Sequence, residues 1–150
     1  VGGKAQTRAM KKVALRVRLD LAQYREVVAF AQLTSDLDTA TARQILRGER
    51  LAEILKQPLH EPLPMEKQVC ILWAVLGGHM DDIPMADISR FEREFLAFLD
   101  QKFLPTVTAI RETGDMADWT ESDLKTAMQT FKSTFASSQH GAQTKAPGAV

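Results

Sequence analysis

The 150-residue sequence has a single cysteine, three histidines and no net charge at pH 7. One cysteine, Cys70, cannot form an internal disulfide, so the sequence does not require an oxidising compartment. The histidines, His60, His79 and His140, have no paired spacing, which argues against a zinc site. The longest apolar run, residues 69–78, falls well short of the ~20 residues that a membrane-spanning helix needs. The opening residues show no signal-peptide pattern.

The motifs of several enzyme classes are also missing. No glycine-rich phosphate loop of the form G-x-x-x-x-G-K-[ST] occurs, and no local pattern presents a nucleophile. Paired carboxylates stand at residues 36–38 and 81–82, where they could bind a hard cation. Each pair precedes a predicted helix, where carboxylates cap the free N–H groups, and capping is the favoured interpretation. The sequence therefore predicts no catalytic residue and no metal ligand in this protein.

Charge is distributed unevenly along the sequence. Residues 1–18 hold six basic residues and no acidic one, whereas the remainder is acidic overall. A basic segment can bind nucleic acid, but the first eighteen residues contain no aromatic side chain for stacking on bases. Nucleic acid is therefore not an expected partner. This segment is consistent with either a solvated helix face or an electrostatic contact with another protein.

Apolar residues recur at three- and four-residue steps along most of the sequence, and no convincing alternating strand appears. The spacing predicts a long amphipathic helix over residues 4–33. It predicts buried faces on the following helices, including Val69, Leu72, Trp73, Leu76, Ile88, Phe91, Phe95, Phe98, Leu99, Val107, Ile110, Leu124, Met128, Phe131 and Phe135. Cys70 lies within one of these helices and is predicted to be a small buried hydrophobe.

Glycine and proline mark the predicted breaks between helices. Gly48 is expected to interrupt a helix, whereas the Gly77–Gly78 pair and Gly114 are expected to end one. Prolines close the segment 35–64. The prediction is an all-α domain over residues 1–135, a bundle of six or seven helices. Residues 136–150 carry no apolar stripe and are expected to be a disordered tail.

Several ordered blocks of sequence resemble one known family. Residues 35–64 contain SDLD, then RGERL, then LKQP and further prolines. Residues 9–14 read AMKKVA, residues 18–26 read RLDLAQYRE, and residues 81–84 read DDIP. In this order the blocks resemble the C-terminal domain of the alpha subunit of F-type ATP synthases. The resemblance covers residues 1–135.

The resemblance implies a part in the rotary enzyme that makes ATP from ADP and phosphate, using a transmembrane proton or sodium gradient. The alpha subunit of that family is non-catalytic and regulatory, and packs with beta and gamma subunits in an alternating alpha/beta hexamer. The full subunit would bind ATP or ADP with magnesium, since the phosphate loop would lie upstream of Val1. Residues 1–150 alone would bind no nucleotide. The complex would lie on the cytoplasmic or matrix face of an energy-transducing membrane, most simply the bacterial inner membrane. This domain would meet the membrane only through the complex.

The resemblance also assigns roles to individual residues. Gln57 and Pro58 match a loop that approaches the adenine of the bound nucleotide. The next two positions, 59–60, depart from the family pattern and remove one polar contact to the base. Ser35, Asp36 and Asp38 match a turn that faces the central rotor stalk.

Two alternatives remain open from the residues themselves. Gln57 is also consistent with an exposed residue in a proline-bounded loop. The whole sequence is also consistent with a stand-alone helical module that binds an anionic partner through its basic first helix.

Leu15 and Thr34 stand where the family usually has glycine, which indicates a divergent member such as an alternative synthase copy.

Overall fold

The computed structural model describes residues 7–33, 37–56 and 63–143, with side chains described as far as residue 135. These residues form six α-helices and no strand, which confirms the all-α prediction. The helices are α1 (Arg8–Ala31), α2 (Thr39–Ile54), α3 (Met65–Leu76), α4 (Ile88–Lys102), α5 (Leu104–Thr113) and α6 (Asp118–Gln143), with a short 3-10 turn at Met85–Asp87 before α4.

Helix α3 forms the centre of the bundle. It packs against α1, α2, α4 and α5, and most of its residues are buried. Its sequence MEKQVCILWAVL is apolar on nearly every face after the first turn, as expected for a helix surrounded by others. The predicted core residues Val69 and Leu76 are buried, whereas Trp73 is only half-buried.

The second half of the bundle is held by phenylalanines on α4 and α6. The Phe91 ring meets the rings of Phe131 and Phe135 edge-on, each at a centroid distance of 5.1 Å. Edge-to-face packing aligns the positive rim of one ring with the negative face of the next. Phe98 is half-buried and lies 5.6 Å from the Phe131 ring. The predicted stripes on these two helices therefore pack against each other.

Gly48 does not interrupt α2, and the prediction of a break there was wrong. The helix runs continuously from Thr39 to Ile54 with Gly48 buried inside it. An added Cβ at Gly48 would collide with the side chain of Tyr24 on α1. The glycine therefore allows two helices to approach closely, a use that its helix propensity does not reveal.

Glycine acts as predicted at the end of α5, where Gly114 has a left-handed φ of 65°. Its carbonyl accepts a hydrogen bond from the Ala9 N–H at 3.0 Å, which ties this turn to the start of α1. Helix α1 itself is capped by Thr7, whose side chain accepts from the Met10 N–H.

Helix α6 continues to Gln143, beyond the domain boundary predicted at residue 135. Once packing against the core has formed the earlier turns of a helix, each further residue that joins it adds one hydrogen bond. A polar sequence can therefore continue the helix beyond the core. Residues 144–150 of the predicted tail lie outside the described residues.

Candidate functional site

The two sets of residues predicted to have functional roles flank α2 in the sequence. Asp38 immediately precedes the helix, and the segment 57–62 follows it. A helix of 16 residues is about 24 Å long at 1.5 Å per residue. The structure therefore places Asp38 and Leu55, the described residues nearest the two predicted segments, at opposite ends of this helix. Of the named residues only Asp38 is described; Ser35, Asp36, Gln57 and Pro58 lie outside the described residues.

Asp38 is the N-cap of α2. Its Oδ1 accepts a hydrogen bond from the Thr41 N–H at 2.7 Å, and the side chain is exposed. Hydrogen bonds from the side chain and the backbone of Thr41 lower the pKa of this carboxyl from its ordinary 3.8. Asp38 is therefore a fixed negative charge at neutral pH, held at the beginning of the helix.

The described residues on both sides of the predicted adenine segment are hydrogen-bonded to the helices. Helix α2 finishes at the C-cap Leu55, whose N–H donates to the Leu51 carbonyl. On the far side, Gln68 Nε2 on α3 donates to the Leu63 carbonyl at 2.7 Å. Residues 57–62 thus follow α2 and precede α3 in the sequence.

Arg50 fixes the position of α2 in the bundle, and the sequence analysis did not single it out. The residue is 6% exposed. Nε lies 3.1 Å from the carbonyls of both Met80 and Ile83, and Nη2 donates to Ile83 at 2.8 Å. Nη1 donates to the Leu46 carbonyl at 3.0 Å within α2. One planar guanidinium thus joins α2 to the turn between α3 and α4.

Asp81 and Asp82 do not cap the following helix, contrary to the prediction. Asp81 Oδ2 pairs with Arg47 Nη2 at 3.0 Å, and Asp82 Oδ1 pairs with Lys132 Nζ at 2.7 Å. The residues at the N-cap positions of the 3-10 turn and of α4 make no capping bond through their side chains. Both carboxylates therefore connect the turn between α3 and α4 to helices that are distant in sequence, which capping rules based on local spacing do not anticipate.

Cys70 is fully buried in α3, as predicted. Burial raises the pKa of its thiol to about 12, and the Glu66 and Asp100 carboxylates add to the shift. Such a thiol is not a nucleophile at neutral pH. Among the described residues, no three His, Cys, Asp or Glu side chains are grouped as a metal site would require. Nor is any described helix both long and apolar enough to cross a membrane.

Comparison with known protein families places this domain among the subunits of ATP synthases. The family model for the C-terminal domain of the ATP synthase alpha/beta chain matches residues 6–131. This range begins before α1 and extends into α6, so it contains all six helices in whole or in part. It also contains Asp38 and both segments where the other predicted residues lie. Because the description covers alpha and beta together, the match does not separate the two.

Proposed function

Because this protein belongs to the family of C-terminal domains of ATP synthase alpha/beta subunits, we propose that it is the helical domain of a non-catalytic alpha subunit. The observation that carries the proposal is the series of alpha-like blocks, SDLD, RGERL and LKQP, which follow one another in this order within the matched residues. In the whole enzyme, ion flow turns a central stalk and drives the formation of ATP from ADP and phosphate.

The first role that we propose is packing within an alternating alpha/beta ring. Helix α1 supports this role, since several large apolar side chains lie on its exposed surface or just beyond its end: Leu15, Leu19, Phe30 and Leu33. Leu33 is 86% exposed. Clusters of exposed apolar residues mark surfaces that pack against other domains or subunits. The proposed neighbours are the rest of the subunit and the beta subunits beside it.

The second role is contact with the rotor. Asp38 is exposed and its lowered pKa keeps it ionised at neutral pH. Together with Ser35 and Asp36 it would offer an acidic turn to basic side chains of the gamma subunit. Exposed ion pairs are weak, so such contacts can form and break as the stalk rotates.

The third role concerns the nucleotide that alpha holds without hydrolysing it. Gln57 would hydrogen-bond the base edge, with Pro58 beside the ring, while residues outside this domain bind the phosphates and magnesium. Leu59 and His60 replace polar and aromatic family residues, so this site would bind ATP or ADP less tightly than the family pattern allows. The complex would be peripheral, on the cytoplasmic or matrix face of its membrane and most simply the bacterial inner membrane.

Assembly tests the proposal directly. The subunit that ends in this domain is produced together with beta and gamma subunits, and the purified complex is analysed by native mass spectrometry. An alpha subunit should appear in equal number with beta around one gamma. If the subunit captures neither beta nor gamma, the proposal fails, and a stand-alone module that binds an anionic partner through basic α1 becomes the better description.

Asp38→Lys then tests the rotor contact within the assembled complex. It should change the rate of ATP hydrolysis without changing the subunit composition. Asp118→Lys, which reverses an exposed carboxylate in the first turn of α6, is the matched control because both changes oppose a helix dipole. Equal effects of the two changes would remove the rotor role from Asp38.

A further inference from the structure

A cavity of about 400 Å³ lies between α1, α3 and the beginning of α6. Its size falls within the ~300–1,000 Å³ range of pockets that bind small molecules. Most of its inner surface is apolar, from the side chains of Ala9, Val13, Val69, Leu76 and Met116. Asp38, the one described residue with a role proposed above, is not among the residues that line it.

One wall of the cavity contains two stacked aromatic rings. The rings of Trp73 and His79 stack with centroids 4.7 Å apart and planes inclined by 25°. Trp73 Nε1 donates to Glu121 Oε1 at 3.4 Å, which connects this wall to α6. Both rings are half-buried, so part of their surface remains open. A flat aromatic wall favours a ligand whose body is itself planar.

The rim of the cavity is positively charged. Lys12 and Arg16 come from α1 and Lys125 from α6, whereas Glu121 is the one carboxylate among the described lining residues. Arg16 Nη2 donates to the Leu76 carbonyl at 2.9 Å, where it offsets the negative end of the α3 dipole. The excess charge at the rim therefore rests mainly on the two lysines.

Neither lysine is used by the fold itself. Among the described residues, no hydrogen bond or ion pair involves the ammonium group of Lys12 or Lys125, and both side chains are exposed. By contrast, Lys67 and Lys132 pair with carboxylates of other elements at 2.6 and 2.7 Å. Two unpaired cations beside an apolar cavity are complementary to a negative group attached to an apolar body.

We propose that the cavity between α1, α3 and α6 binds a small organic anion. Its planar apolar body would lie against Trp73, and its carboxylate or phosphate would be held by Lys12 and Lys125. The described lining residues belong to elements other than α2, the helix that the proposed rotor and adenine segments flank in the sequence. It would give this domain a ligand of its own, whatever complex the domain belongs to.

Titration of the whole 150-residue protein, followed by NMR of the tryptophan indole N–H groups, tests this site. The protein has two tryptophans, and the exposed Trp119 can be replaced by phenylalanine so that the remaining signal is that of Trp73. Benzoate and phenyl phosphate are the probes, with benzamide as the neutral analogue of similar shape. We expect a saturable shift with at least one anion and affinity about tenfold weaker for benzamide. The anion that binds more tightly identifies the class, carboxylate or phosphate ester.

Matched lysine variants establish which charges hold the anion. Lys12→Gln and Lys125→Gln should each weaken binding about three- to fivefold. Lys11→Gln, next to Lys12 in sequence but not part of the cavity wall, should leave the dissociation constant unchanged. The same spectra show whether each variant is folded. Absence of a saturable shift, equal binding of benzamide, or equal effects of Lys11→Gln and Lys12→Gln would each overturn the proposal.

Discussion

Replacing Gly48 by alanine is expected to destabilise the protein, although alanine is ordinarily the better helix former. In the middle of α2, alanine would gain about 1 kcal/mol from helix propensity. Its Cβ, however, would collide with the Tyr24 ring and stand 2.8 Å from Tyr24 Cβ. Because Tyr24 Cβ is fixed to the α1 backbone, no change of rotamer relieves that contact, and the two helices must separate.

The magnitude follows from the two opposing terms. Overpacking lowers the free energy of unfolding by about 1–3 kcal/mol. The loss here should lie near the upper end of that range, because Tyr24 Cβ cannot move without the α1 backbone. After the gain in propensity, the expected loss is about 2 kcal/mol in the free energy of unfolding. For a protein of this size the melting temperature should fall by about 4–8 °C. Urea denaturation followed by far-UV circular dichroism measures the loss directly.

A second background shows whether Tyr24 is the cause. Tyr24→Gly removes both the ring and the Cβ. The stability lost through this change is the same in Tyr24→Gly alone and in Tyr24→Gly combined with Gly48→Ala, so it cancels when the two are compared. In that background Gly48→Ala should become stabilising by up to about 1 kcal/mol, because only the propensity gain remains. The reasoning is refuted if Gly48→Ala stabilises the original protein, or if it has the same effect in both backgrounds.

Three further changes follow from individual side chains. Arg50→Met removes the guanidinium donors to the Met80 and Ile83 carbonyls. It should lower the free energy of unfolding, measured by urea denaturation, by about 3 kcal/mol. An equal loss for Arg43→Met, an exposed change on the same helix, would contradict this assignment. Asp38 has a lowered pKa in the folded protein, so its ionised form stabilises the fold at pH values above the pKa of the unfolded state. This contribution is lost as the pH falls through the pKa of the folded state. Asp38→Asn keeps an acceptor but does not titrate, so the stability difference between the two proteins should shrink in acid; a difference independent of pH would exclude the capping charge. Cys70 should react with a thiol reagent only as the protein unfolds in urea, because its thiol is buried with a pKa of about 12; rapid reaction of the folded protein would show that α3 opens locally.

Helix positions and most core residues were predictable because they depend on nearby sequence. The spacing of Leu124, Met128, Phe131 and Phe135 predicted a buried face on α6, and all four are buried. Gly114 was likewise predictable, since a left-handed C-cap needs only the absence of a Cβ. Four of the five named site residues lie outside the described residues, and the roles of all five stay predictions.

Gly48 and the aspartates show where such reasoning fails. Helix propensity assigns glycine a cost at any interior position, but here the deciding contact comes from Tyr24 on a different helix. Asp81 and Asp82 precede a helix and so satisfy the local rule for caps. Their partners, Arg47 and Lys132, come from α2 and α6, and no local pattern indicates which distant cation is near.

Arg50 is the instructive case, because one signal for it was present in the sequence. Positions 47, 50, 51 and 54 share one face of a helix, and Leu51 and Ile54 on that face are fully or almost fully buried. An arginine within an apolar stripe must find partners or reach solvent, but its partners here are backbone carbonyls, which every residue possesses. The sequence can therefore indicate that Arg50 is buried without indicating what it binds.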